Sequence, residues 1–357
     1  MKPMIFAALA ALLAPSAHAA TLRVAPGPDA QTRLQEALIE AKSGDTVEIG
    51  AGQFDLTDGL SLDVAKVTIK GAGPSATILS FKGQKGAGEG LLITSDDVVL
   101  RDFAVEDTRG DGIKSKGADR IVYHNLRVEW TNGPDPKNGA YGIYPVSSRD
   151  ILVDKVTVIG CSDAGIYVGQ SENIVVRNST VMYNVAGIEI ENSYGADVYG
   201  NVATRNTGGI LVFDLPNVPK QGGHSVRVFR NSVVNNDTPN FAPEGNIVRQ
   251  VPVGMGVMVM AHRNVHVFEN TLGENATANV AIVAYKSSYK DETYNPNPRD
   301  VVIRDNVHGR AGWAPGFKGG AELAAAMGGR PMPVFWDGVG TNVSVREGVP
   351  VVTLGLA

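Results

Sequence analysis

The sequence predicts an all-β solenoid, one long stack of short strands, and three observations predict it. A repeat runs almost without interruption from Asp163 to Asp214, where DAGIYVGQSENIVVRNSTVMYN is followed by VAGIEIENSYGADVYGNVATRN and TGGILVFD. Gly165, Gly187 and Gly209 each precede an isoleucine and stand 22 residues apart. The 42 glycines, 19% charged residues and abundant valine suit tight turns between strands. A fixed period in this range marks supersecondary units that cannot bury a core singly, and a solenoid grows by rungs, so 357 residues imply one long domain.

The chain opens with Lys2, an apolar run from Met4 to Leu13 and the small-x-small triplet Ala17-His18-Ala19. This pattern predicts a signal peptide over 1–19, cleaved near Ala19, and a periplasmic or secreted protein with no stable membrane insertion. Cys161 is the single cysteine, which excludes an internal disulfide framework. The net charge of −5 argues against a nucleic-acid partner, which would demand a basic face.

Thr32 to Lys42 places Leu34, Ala37, Leu38 and Ala41 on one helical face and stops at Ser43-Gly44. A lone helix before a repeat array is expected to cap the first rung, whose apolar cross-section would otherwise meet water.

From Val47 to about Val307 the strands continue. Glycine-aliphatic pairs begin at Gly90, Gly112, Gly142, Gly165, Gly187, Gly209 and Gly256, with Ala281-Ile282 expected to supply the last. A second column runs through Asp102, Asn125, Lys155, Asn178, Asn201, Asn231, Asn270 and Asn306. Asparagine tolerates left-handed backbone and its amide can bond to the asparagine above and below, so this column is expected to be a structural ladder. A turn of about 22 residues holds three short strands, and rungs stack about 4.8 Å apart. With the helix and the following SGDTVEIGAGQF, these columns resemble the carbohydrate-associated repeat proteins of the pectate-lyase-like superfamily, secreted β-helix repeat proteins among them, over residues 21–310. The resemblance implies a right-handed parallel β-helix from 20 to 310, with 311–357 as a C-terminal cap.

Insertions interrupt the period at Thr131–Ala140, Leu215–Gly223, Asp237–Val253 and Ser287–Arg299. In solenoids such loops commonly build the binding face. Alternation sends each aliphatic residue of the glycine pairs inward and its neighbours outward. The outward rows then read Lys114, Tyr144, Tyr167, Glu189, Leu211, Met258, Val283 and Lys116, Val146, Gly169, Glu191, Phe213, Met260, Tyr285, with Asp163, Gln170, Asn192 and Asp214 in nearby turns. A merely solvated face would scatter its polar residues, whereas this one groups lysines, tyrosines, glutamates and apolar residues.

Relatives that act on acidic polysaccharides bind along the outside of one sheet, so the resemblance implies an acidic polysaccharide partner and a lyase or C5-epimerase at a uronate. Such chemistry neutralises the sugar carboxylate, removes the adjacent proton and, for elimination, protonates the leaving oxygen. Lys114 and Lys116 could neutralise, Tyr144 or Tyr167 could act as acid or base, and Phe213, Tyr285 and His224 could contact the sugar. Glu189, Glu191 and Asp214 complete the catalytic candidates. The carboxylates could instead hold Ca2+.

Three other uses of these residues stand open. Glu189 and Glu191, about 7 Å apart on one strand face, suit an inverting hydrolase by spacing, although Asp214 one rung on makes the better partner. A non-catalytic glycan-binding scaffold would simply keep this face charged. Met258, Met260 and His262, expected to share an outward face with Met255 and His266 nearby, suit copper handling by ligand type. The Gly-His-Gly and Arg-Ile-Lys signatures of polygalacturonases and the Asp-Pro-His-Asp of mannuronan epimerases are absent.

Overall fold

The structure, a computed structural model, describes residues 19–86, 88–329 and 332–354. The expected signal segment, apart from Ala19, lies outside the described residues. Three parallel sheets of 12, 11 and 10 strands run along the described chain, each turn giving one strand to each sheet. Thus Ala164–Gly169, Glu172–Arg177 and Thr180–Met182 pair with Ala186–Glu191, Tyr194–Tyr199 and Val202–Thr204 of the next turn. Ile166, Ile188 and Ile210 are fully buried in the interior, as the alternation requires.

The helix Ala30–Glu40 lies over the first rungs and buries Ala30, Leu34, Ala37 and Leu38. It ends earlier than expected because Ala41 is already extended and the Lys42 N–H donates to Asp45 Oδ2 at 2.8 Å.

The repeated glycine has a steric cause. A Cβ on Gly187 would lie 2.5 Å from the Gly209 carbonyl oxygen, and one on Gly209 would lie 2.7 Å from that of Gly256. Each glycine therefore lets the next rung approach. The column ends at Gly256, and register pairs Val257 with Val280 and Met258 with Ala281. This corrects the expectation that Ala281-Ile282 continues the glycine pairs. Asn279 occupies that place, its amide held at 2.9 Å by Asn275 when the latter donates to Asn279 Oδ1. Ala281, the small residue that mimics the column in sequence, lies two positions further along the strand. Val283 then falls in the row of Met260, and Tyr285 lies beyond the strand end.

The asparagine column divides similarly. Asn201, Asn231, Asn270 and Asn306 form the expected ladder, each Nδ2 donating to the next Oδ1 at 2.9–3.0 Å. Glu347 closes it by accepting from Asn306 Nδ2 at 2.6 Å. Asn178 is not a member. It takes a left-handed φ of 53°, and Ser179 stands at the ladder position, its N–H donating to Asn201 Oδ1. Left-handedness and laddering thus belong to adjacent positions. A second ladder, Asn184, Asn206, Asn236 and Asn275, runs fully buried beside the first at 3.0–3.2 Å.

Beyond Arg310 the sequence period stops, yet Val334–Trp336, Thr341–Arg346 and Val351–Thr353 still add strands to two sheets. No helix among the described residues is long and apolar enough to cross a membrane.

Candidate functional site

The candidate site lies on the outer face of the 11-stranded sheet. Register stacks Lys114 on Tyr144, and Tyr167 on Glu189, Leu211 and Met258. The neighbouring row stacks Lys116, Val146, Gly169, Glu191, Phe213 and Met260. Over these rows the inserted loops fold back and pack on a second apolar cluster, outside the solenoid core, that includes Leu211, Phe213, Val248, Val251 and Met258. A cleft of ≈ 680 Å³ opens between loops and sheet.

At one end of the cleft three tyrosines converge. Tyr141 lies 4.6 Å from both Tyr144 and Tyr167, ring centre to ring centre, and Tyr144 meets Tyr167 edge-on at 4.9 Å. Tyr141 escapes sequence analysis because it precedes its strand, where alternation carries no information.

Against the tyrosines lie Asp163, Glu189 and Glu191, all buried yet lining the cleft. Burial, followed by the charges of Asp163 and Glu191, pushes the Glu189 carboxyl well above its ordinary range. Burial raises Asp163 likewise, and hydrogen bonding with Tyr141 opposes the rise. Glu191 is pushed up to about 7 by burial, against a hydrogen bond with Tyr167 and aided by the charge of Asp214. Burial lifts the Tyr141 and Tyr167 phenols far above their usual value, and the nearby carboxylates add to this. The group therefore holds protons near neutral pH.

Lys114 borders the tyrosines but is engaged. Its Nζ lies 2.9 Å from Glu89, 3.4 Å from Asp111 and 4.7 Å over the Tyr144 ring. Burial works to lower this ammonium, and the bond to Glu89 with the charge of Asp111 outweighs it, so Lys114 titrates above its ordinary value. Lys116 is exposed and stands outside the cleft lining.

Asp214 stands behind the cleft rather than in its wall. Its carboxylate accepts the Gly223 N–H at 2.8 and 3.1 Å, and its backbone carbonyl accepts the Tyr294 hydroxyl at 2.7 Å. Burial raises it to about 7, against the Gly223 bond. His224 does not meet Asp214. It stacks on Tyr194 at 4.5 Å in the 12-stranded sheet, and its Nδ1 contacts Ser225 Oγ. The histidine near Asp214 is His262, with Nε2 3.8 Å from Oδ1. Phe213 and Tyr285 both line the cleft, Tyr285 from the loop that also brings Tyr294 to 5.6 Å.

The methionine-histidine face expected for copper does not form. The strand ends at Met260, and Ala261 adopts a left-handed φ of 56°, which turns His262 into full burial while Met258 and Met260 line the cleft. Among the described residues no three His, Cys, Asp or Glu side chains converge to hold a metal ion. Cys161 is buried and unpaired.

The chain is a right-handed parallel β-helix with loops folded over one sheet face. Residues 66–218 match the family described as "Right handed beta helix region". Among curated proteins the sequence finds no match. Solved structures share the fold along nearly the whole chain. The A-module of the mannuronan C-5 epimerase AlgE4 of Azotobacter vinelandii aligns with a TM-score of 0.55 at 12% identity, covering 94% of this chain and 100% of that one. An alginate lyase from Paenibacillus sp. str. FPU-7 aligns with a TM-score of 0.52 at 17% identity, covering 82% and 97%. A polygalacturonase from Erwinia carotovora ssp. carotovora aligns with a TM-score of 0.57 at 12% identity, covering 95% and 94%. At such identities the likeness is one of fold.

Proposed function

We propose that this protein is exported and acts on a polysaccharide laid along the outer face of the 11-stranded sheet, as a lyase or C5-epimerase at a uronate. The observation that carries this reading is the convergence of Tyr141, Tyr144 and Tyr167 on three cleft-lining carboxyl groups that retain protons near neutrality. With Lys114 already paired, the cation nearest the tyrosines is not free to receive the sugar carboxylate. A protonated Glu189 or Glu191 can instead donate a hydrogen bond to it, which offsets the charge and acidifies the adjacent C–H. Tyr167, hydrogen-bonded with Glu191, is positioned to exchange a proton with that carboxylate, and Tyr144 stands beside it. The fold neighbours named for mannuronan epimerisation, alginate cleavage and polygalacturonan support the substrate class by analogy.

The same protonated carboxyls favour a second reading, general-acid hydrolysis of a glycosidic bond. Incubating the purified protein with alginate, pectate, chondroitin sulfate and hyaluronan separates the two. A lyase releases chain ends that absorb in the ultraviolet, an epimerase exchanges the C5 proton with solvent deuterium, and a hydrolase releases reducing ends with neither. No product and no exchange with any of them would sink the catalytic reading and leave a glycan-binding scaffold. Sequencing the amino terminus of the exported protein tests cleavage near Ala19.

A further inference from the structure

The cleft changes chemistry along its length. Its tyrosine end carries Tyr141, Asp163, Glu189 and Glu191. One rung further the floor becomes Leu211 and Phe213, then Met258 and Met260, with Val283 beyond and Phe317 in the wall. Met260, Val283 and Phe317 are only half-buried, and Ile247 at the rim is 37% exposed, so this is open apolar surface rather than closed core. Polar residues also border this half: Lys286 pairs with Asp337 at 3.2 Å, Ser287 Oγ donates to Gln250 Oε1 at 3.5 Å, and Lys318 is exposed, while the floor itself stays apolar.

A sugar ring does not suit this half. Its hydroxyls need hydrogen-bond partners, and methionine, leucine and valine side chains supply none, so each hydroxyl buried there would lose its bonds to water. Sugars settle on flat, accessible aromatic faces, yet Phe213 is only 5% exposed, Phe317 tilts against Phe335 at 5.5 Å, and the half-buried Tyr285 lines the cleft only beyond the strand end, past the floor that runs from Leu211 to Val283. A flexible hydrocarbon fits such a surface, because methionine adapts to irregular apolar shapes. The trough also runs without a break into the titratable end, so one molecule can span both.

We propose that the ligand is an amphiphilic glycan whose sugar lies on the tyrosine-carboxyl end and whose linear acyl or alkyl chain fills the trough from Leu211 to Val283. This rests on the polysaccharide reading for its sugar half, and it restricts the substrate class to glycans that bear such a chain. Isothermal titration with methyl, hexyl and octyl β-D-glucosides below their micelle-forming concentrations tests it. The expected result is binding tightened roughly fourfold by each added methylene. Met260→Lys on the strand and Phe317→Ser in the wall should each abolish that increment while leaving thermal unfolding near wild type. Equal affinity for all three glucosides, or an increment that survives both substitutions, overturns the proposal. So does octanol binding as tightly as octyl glucoside, since the trough would then hold hydrocarbon without the sugar end. These titrations read binding alone, so a failure to turn over any uronate polymer leaves their outcome untouched. Turnover with no chain-length dependence would overturn the trough and keep the catalytic reading.

Discussion

Lys114 Nζ lies 2.9 Å from Glu89 Oε1, so the lysine nearest the tyrosine cluster is neutralised from within the protein. Removing the Glu89 charge should leave Lys114 held by Asp111 alone, at 3.4 Å, and make the tyrosine end of the cleft more positive. For Glu89→Gln we expect KM for an anionic polymer to fall about fivefold, the effect of one charge several ångströms from the ligand in a partly solvated site. Steady-state kinetics on anionic and neutral substrates check this, and the neutral one should show no change.

Proton uptake by the buried carboxyls sets how stability varies with pH. Glu191 titrates near 7 when folded against an ordinary 4.5, and Asp214 near 7 against 3.8. Folding therefore favours their protonated forms, and this contribution, full below the ordinary values, is lost as pH rises to about 7. Buried His262 works in the opposite direction. Its pKa falls from 6.5 to about 3, so its contribution is full above 6.5 and lost as pH falls. Burial lowers His224, His266 and His308 in the same direction as His262, so the raised Asp163, Glu189, Glu191 and Asp214 are set against four histidines; with the carboxyls prevailing, the melting temperature should be higher at mildly acidic than at mildly alkaline pH. Glu191→Gln should remove on the order of 3 kcal/mol of this dependence, raising stability most on the alkaline side. Thermal melts across the range measure it.

The glycine column gives a steric test. Gly187→Ala places a Cβ 2.5 Å from the Gly209 carbonyl oxygen, whereas a Cβ at Gly88 meets nothing within 4 Å. The first should cost about 3 kcal/mol or more and the second far less, by chemical denaturation.

The two kinds of asparagine should separate in the same assay. Asn231→Ala leaves the buried Asn201 backbone and side-chain N–H groups without Asn231 Oδ1 and takes the Nδ2 donor from Asn270 Oδ1, which keeps the residue 231 backbone N–H, at a cost of about 2–4 kcal/mol. Asn178 is exposed at a left-handed position, and Asn178→Gly should change stability by less than about 1 kcal/mol.

Tyr167→Phe keeps the ring packing and removes the hydroxyl that meets Glu191. With a turned-over substrate, kcat should fall by about 100-fold or more while KM changes little.

Much of this architecture was legible in the chain, because stacking imposes period. Gly165, Gly187 and Gly209 recur since each must admit the next rung's carbonyl, and Ile166, Ile188 and Ile210 recur since each faces the interior. The outward rows through Tyr167, Glu189 and Glu191 followed from alternation within strands. What escaped depends on places where alternation stops. Tyr141 precedes its strand, His262 is turned inward by left-handed Ala261, and Asp214 is fixed by the Gly223 amide of an inserted loop. Lys114 reads as a free cation because Asp111 and Glu89, which neutralise it, precede the column glycines Gly112 and Gly90 in the turns before the strands, where alternation does not say which way a side chain points. The burial that lifts the carboxyls comes from loops whose lengths the sequence shows but whose course it does not.

Carbon-13 titration of the Glu191 side-chain carboxyl tests the central claim most directly, because it needs no substrate. If loops and sheet bury this group against Tyr167 as described, its midpoint lies near 7. A midpoint near the ordinary 4.5 would show a solvated carboxylate and contradict a cleft that holds protons for catalysis.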